Sequence, residues 1–322
     1  MAGSVDAMRR ARFAAQAAAT PSRMSVAAAA KAARAVGGTE ALAAIFCHAA
    51  FVAPEHTVAI YDAFAAAWLD ETQASPAEIE PLVADEAPAQ EFWTGFWEII
   101  EDLRAGRLGA IGVTARVAGL GALLPASLRD RGETLARNRA RGLLDAQRGV
   151  PPRLDLDDLS RQPEGSLGRD FHRLIVDNKF DLEVLDRDVI GLSHLPPMLR
   201  FFNTRILQMH DVWHLVGGFR TTALHEIAIS AFQLAQFGHG YSAMLLAVIA
   251  SSTVFGEPGA AAVLLQTVAE GWRHGRTSPN FMAIDWEREW QFSIADIRRR
   301  HGIAPFAGTF PPDLFEQARA AA

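Results

Sequence analysis

Apolar residues recur at intervals of three and four along most of this chain. Leu42, Ile45, Phe46, Ala49 and Ala50 do so, then Ile60, Phe64, Ala67 and Trp68, then Phe92, Phe96, Ile99, Ile100 and Leu103. That spacing follows the 3.6-residue helical period and predicts three amphipathic helices. Leu199, Phe202, Ile206 and Met209 continue the pattern behind Pro196 and Pro197, whose fixed φ suits the first helical turn. Residues 241–255 and 260–271 are strongly apolar and helical in pattern, and 288–300 reads as a terminal amphipathic helix. Strand-like alternation is missing almost everywhere. The expected fold is all-α: a multi-helix domain carrying an N-terminal helical extension.

Pro76, Pro81 and Pro88 punctuate the first half, and Val150, Pro151 and Pro152 make a sharper break. These divide the chain into a basic arm at 1–38, disordered or partly helical, a helical region at 39–152, a domain at 153–303 and a tail at 304–322. Within the third unit, PEGSLGR at 163–169 reads as a loop leading into a helix through Phe171, Leu174 and Ile175.

Composition narrows the classes. With 322 residues and 50% hydrophobic content the chain can bury a sizeable core. A net charge of -6 argues against nucleic-acid binding, which needs a basic face. The single Cys47 excludes internal disulfides and cysteine-based metal clusters, and reads as a small buried apolar residue. No apolar run reaches the roughly 18 residues of a spanning helix.

Charge is blocked along the chain. Residues 1–38 carry six basic residues against Asp6 and resemble an organellar targeting segment in composition. From Glu40 to Asp102 the acidic residues face only Arg104, and the expected role is a solvated face. Residues 106–152 hold eight arginines against Asp130, Glu133 and Asp145. That stretch is either an internal helical hairpin or a face for anionic lipid.

The chemistry concentrates at 209–237, MHDVWHLVGGFRTTALHEIAISAFQLAQF. His210 and His214 are four apart and share a helical face, with Asp211 three before His214. Gly217 and Gly218 end that helix, Thr221 or Thr222 can cap the next, and Glu226 falls in its first turns. Two imidazoles and two carboxylates between consecutive helices outline a divalent-metal site. The surrounding Met209, Val212, Trp213, Leu215 and Val216 place it inside the domain. Ser230 and Gln233, four and seven residues after Glu226, share its face and could orient substrate or ligands. The remaining histidines, His225 included, read as core or surface residues. HExxH hydrolases share the two-histidine spacing but carry Glu where this chain has Asp211. An HD-type phosphohydrolase would need a further upstream histidine, for which His194 is a weak candidate.

The stretch from Arg153 to Ile303 resembles the ubiquinone (coenzyme Q) biosynthesis protein Coq-four family. Its signature, His-Asp-x-x-His, eleven residues, then Glu, is met by His210, Asp211, His214 and Glu226. PEGSLGR, WRHG at 272–275, DWEREW at 285–290 and RRRHGI at 298–303 match further landmarks in order. His225 stands where the family commonly has glycine, and residues 1 to about 110 have no recognised counterpart.

The resemblance implies metal-dependent, oxidative decarboxylation of a polyprenylated hydroxybenzoate intermediate, a lyase-type reaction. His210, Asp211, His214 and Glu226 would serve as ligands and catalytic groups. Zinc is the expected metal, with iron, manganese or cobalt as alternatives. Expected partners are the prenylated quinone precursor, other ubiquinone-biosynthesis enzymes, a membrane surface and a second copy in a homodimer. The expected location is peripheral, on the cytoplasmic face of a bacterial inner membrane or the matrix side of the mitochondrial inner membrane. A non-catalytic lipid-binding scaffold of the biosynthetic complex and a metal-dependent phosphohydrolase are the alternatives.

Overall fold

A computed structural model describes residues 6–320 apart from 36, 73–78, 80–86, 144, 145, 147, 148, 181, 183–186 and 188–190. Pro76 and Pro81 lie outside the described residues. The described residues contain helices and no strand, so the all-α expectation is met. In chain order the helices are α1 (Ala7–Ala18), α2 (Arg23–Ala35), α3 (Thr39–Phe51), α4 (Thr57–Trp68), α5 (Gln90–Arg104), α6 (Ala110–Leu120) and α7 (Ala126–Arg139). They continue with α8 (Leu156–Ser160), α9 (Leu167–Asn178), α10 (Pro197–Gly217), α11 (Ala223–Phe237), α12 (Gly240–Gly256), α13 (Ala261–Thr277), α14 (Ile294–His301) and α15 (Leu314–Ala320).

Two hydrophobic cores share one helix. The first joins α1 to α6 with α12, α13 and the Ala231, Leu234 and Ala235 side of α11. The second joins α7 to α10 and α14 with Ala228, Ile229 and Phe232 of α11. α11 is therefore the seam of the molecule, and it carries Glu226. The break at 150–152 does not separate the cores, because α11 to α13 cross back to pack against the N-terminal helices.

Of the two readings of the basic N-terminal segment, the helical one matches α1 and α2. Phe13 is fully buried against Trp97 and Phe255, with ring centroids 5.5 and 5.4 Å away. Arg9 and Arg10 lie over the Phe255 and Trp97 rings while their charges meet Glu40 and Glu101. Arg34 likewise pairs with Asp70. Small alanines let α1 pack closely on α3, and α2 on α3 and α4, and the basic block pairs with the acidic one that follows.

Arg116 and Arg107 meet Glu98 and Asp102 in the same way, and Val113, Val117 and Leu120 of α6 are buried. Among the described residues of the 106–152 stretch, α6 and the Arg107 turn thus lie against the protein, with Arg107 and Arg116 paired to α5. Among the described residues no single helix is long and apolar enough to cross a membrane; α3 and the segment 54–68 pass together but are bent by 116°.

α10 is held at both ends by opposite charges that oppose its dipole. The buried Glu133 carboxylate accepts from the Met198 and Leu199 amides at 3.0 and 2.9 Å. At the other end Arg298 donates to the Val216 and Leu215 carbonyls at 2.8 and 3.0 Å. Arg205 pairs with Glu287 at 2.6 Å, tying the middle of the helix to the 285–290 stretch. At the end of that stretch the Trp290 carbonyl accepts the Gly168 amide, and the Phe292 carbonyl just beyond accepts the Leu167 amide, at the start of α9.

The tail after residue 303 is strapped across the α10–α11 turn. Phe306 donates its amide to the Gly217 carbonyl at 2.7 Å and stacks on Phe219 at 4.9 Å. Thr222 donates to Pro312, and Glu316 accepts the Ala223 amide at the start of α11. Gly218, at φ +77°, makes the turn possible, since a Cβ there would meet Pro305 at 2.7 Å.

Candidate metal centre

α10 and α11 bring three of the expected groups to one point. The Nε2 atoms of His210 and His214 are 3.0 Å apart. The Glu226 carboxylate lies 3.2 Å from each of them, through Oε2 and Oε1 respectively. Asp211 offers an oxygen within 4.8 Å of the two imidazoles. The helical spacing of 210 and 214 supplies the imidazole pair. The tight turn at Gly217 and Gly218, finished by the Arg220 amide donating to His225 Nδ1 at 2.8 Å, folds Glu226 back onto it.

The cluster is open on one side. His214 is buried at 1% side-chain exposure, whereas Glu226 retains 46%. Burial alone would raise the Glu226 carboxyl, but hydrogen bonds from His210 and His214 hold it well below the usual carboxylate range. Burial likewise works against protonated His210, and the Glu226 carboxylate overcomes it and raises the imidazole above its ordinary value.

Bare imidazole nitrogens and a carboxylate this close repel unless a positive charge sits among them. Two donors, each about 2.05 Å from an ion at a tetrahedral angle, lie about 3.3 Å apart. The observed 3.0 and 3.2 Å separations fit that spacing. His214 Nδ1 is buried without a hydrogen-bond partner, so on that side packing holds the ring while Nε2 faces His210 and Glu226. The donor set of two imidazoles and carboxylate oxygens suits zinc, iron, manganese or cobalt.

Gln233 and Ser230 part company. The Gln233 amide reaches His210 Nδ1 at 2.8 Å, behind the cluster and away from its open side, and it is 3% exposed. Ser230 is buried in the same helix and takes no part in the hydrogen bonds of the cluster. Three residues carried no signal in the chain order. Ser242 lies 3.5 Å from the other end of the Gln233 amide, His239 Nδ1 is 2.9 Å from Ser242, and Asn203 Oδ1 is 3.2 Å from His239 Nε2. His239 and Ser242 stand at the start of α12 and Asn203 on α10, so only the packed fold aligns them with Gln233 of α11.

Asn203 and His239 also line a cavity of about 70 Å³ with Arg139, Phe202 and Phe237. That space holds a couple of waters rather than an aromatic ring. A bulky substrate must reach the cluster from the side where Glu226 and His210 are exposed.

His225 is a turn fastener, buried against Phe306 at 5.3 Å. The other histidines read as core behave so: His48 and His56 form a buried pair at 2.9 Å, and His274 packs among Phe219, Phe232 and Phe306.

Residues 111–307 match the family model described as Coenzyme Q (ubiquinone) biosynthesis protein Coq4. The match begins well before Arg153 and takes in α6 and α7. Among curated proteins the chain is similar to the mitochondrial ubiquinone biosynthesis protein COQ4 homologs of Rattus norvegicus, 29% identical over 47% of this chain, and Homo sapiens, 27% identical over 49%. It spans 56% of the length of each. The COQ4 protein of Laccaria bicolor is 24% identical over 65% of this chain and 67% of its own. The crystal structure of a proposed ubiquinone biosynthesis protein from Nostoc punctiforme PCC 73102 superposes with a TM-score of 0.51, at 23% identity, over 66% of this chain and 96% of that one. That likeness bears on the fold alone.

Proposed function

The chain belongs to the coenzyme Q (ubiquinone) biosynthesis protein Coq4 family, and from that premise we propose that its α10–α11 cluster is a metal-dependent site acting on a prenylated quinone precursor. The observation that carries this reading is the meeting of His210, His214 and Glu226 at 3.0 to 3.2 Å on the open side of a buried helix pair.

His210, His214 and Glu226 would hold the ion, with Asp211 as a further oxygen ligand. When bound, a divalent ion supplies Lewis acidity at the site, and a redox-active one also supports introduction of oxygen, which zinc does not. The proposed reaction is loss of the ring carboxylate from a polyprenylated hydroxybenzoate: the bond to the carboxylate carbon breaks, carbon dioxide leaves, and the electron pair stays on the ring carbon. His214, locked in the core, fixes one corner of the site, while Glu226 and His210 border the face open to substrate. Replacement of the lost group by hydroxyl further requires an oxidant.

A polyprenyl tail partitions into the bilayer, so the protein would work peripherally at a membrane surface, bacterial or mitochondrial, beside other enzymes of the pathway. The test is Glu226→Ala in a host lacking its own copy of the gene. Accumulation of the carboxylated precursor, with thermal stability retained, is expected. Normal quinone levels with this variant would overturn the reading.

A further inference from the structure

The hydrogen bonds behind His210 can run in one direction only. The Asn203 side-chain nitrogen donates to the Leu199 carbonyl at 2.7 Å. A carbonyl oxygen only accepts, so this fixes the Asn203 amide and turns its Oδ1 toward His239 Nε2, 3.2 Å away. Oδ1 needs a donor, which places the His239 proton on Nε2. Burial holds His239 down to about 3, so the ring is neutral and its Nδ1 is a bare lone pair. Ser242 Oγ, 2.9 Å from that lone pair, must spend its single proton there.

Ser242 can then only accept from Gln233. The Gln233 Oε1 position lies 3.5 Å from Ser242 and its Nε2 position 2.8 Å from His210 Nδ1. The two ends of a glutamine amide are isosteric and are assigned from their neighbours. With the Ser242 proton committed to His239, the exchanged orientation matches both ends of the amide: its nitrogen donates to Ser242, and its oxygen accepts from His210 Nδ1. The cost of the opposite choice is two buried oxygens facing each other without a proton.

We propose that Asn203, His239, Ser242 and Gln233 form a one-way relay of hydrogen bonds that holds His210 as the Nδ1-protonated tautomer, leaving its Nε2 lone pair presented to a metal ion beside His214 and Glu226. These four are positioning residues. The inference rests on the metal-site reading above, and it moves Gln233 from substrate contact to support of a ligand. Metal-bound imidazoles commonly donate their second N–H to an acceptor, which fixes the tautomer and ring orientation. His214 Nδ1 has no such partner, so this relay acts on one ligand only.

The test combines long-range proton–nitrogen NMR of histidine-labelled, metal-free protein, at a pH where the rings are neutral, with zinc affinity measured by chelator competition. His210 should carry its proton on Nδ1. Gln233→Met, which removes the acceptor, should leave a tautomer mixture and weaken zinc binding roughly 10- to 100-fold. Gln233→Glu, which keeps an acceptor, should preserve both. Ser242→Ala, which frees the amide to turn, should also give a mixture. A wild-type His210 protonated on Nε2, or Gln233→Met and Ser242→Ala proteins with the wild-type tautomer, would overturn the relay. Protein showing the Nδ1 tautomer but no zinc binding would instead sink the metal reading and leave the relay standing.

Discussion

The position of Glu226 depends on how closely α13 packs against α11. Gly271 and Gly275 of α13 lie against α11, and a Cβ built on Gly271 would sit 2.4 Å from the Ala228 carbonyl oxygen and 3.0 Å from its carbon. Ordinary contact begins near 3.4 Å, so Gly271→Ala must push the helices apart by about 1 Å, and the obstacle is backbone rather than a flexible side chain. Overpacking of this kind costs about 1–3 kcal/mol, offset by the helix-propensity gain of about 0.5–1 kcal/mol for alanine over glycine. Gly119→Ala supplies the control, since Gly119 sits exposed in α6 with open space at its Cβ and receives the same gain without the clash. The two variants should therefore differ by about 1–3 kcal/mol in denaturant unfolding. Because Glu226 lies two residues before Ala228, a displacement of about 1 Å also exceeds the roughly 0.2 Å tolerance of a metal–ligand bond, so zinc affinity should fall with stability. Equal stabilities for the two alanine variants would refute the close approach. Unchanged zinc affinity in a destabilised Gly271→Ala protein would refute the coupling to Glu226.

Other consequences are open to measurement. Phe13→Ala should cost about 3–5 kcal/mol, since α1 is part of the core; a loss near zero by chemical denaturation would return residues 7–18 to the status of an arm. Burial holds His48 down to about 4 although its Nδ1 bonds the Ala17 carbonyl, while an unfolded histidine titrates near about 6.5. The stability it contributes is complete above about pH 6.5 and is lost as pH falls through that value toward 4, by up to roughly 3 kcal/mol. His48→Gln should flatten the unfolding free energy across that window, and an unchanged slope would contradict the assignment.

The helical fold was legible because α3, α4, α5 and α10 each carry their own period of apolar residues. The cluster was legible for a similar reason: His210 and His214 are related by one helical turn and Glu226 by one short loop, so all the geometry is local. Gln233 was placed on the correct face, but its target on α10 could not be read from α11. Asn203 on α10 and the His239–Ser242 pair at the start of α12 left no trace in the order of residues, because polar side chains from α10, α11 and α12 become a chain only after packing. Composition left the N-terminal segment between a disordered and a partly helical arm. Alanine and arginine suggest an unstructured basic arm, yet alanine packs where helices approach closely and arginine pairs with the acidic helices that follow.

The central claim is that His210, Asp211, His214 and Glu226 hold one divalent ion. Elemental analysis of the full chain, purified without chelator or nickel resin and compared with His214→Ala, tests it most directly. About one equivalent of zinc or a redox metal is expected per wild-type chain, with loss of that metal from a His214→Ala protein that remains folded. Metal-free wild-type protein that takes up no ion on dialysis against zinc, iron, manganese or cobalt, or a His214→Ala protein that keeps its full equivalent, would contradict it.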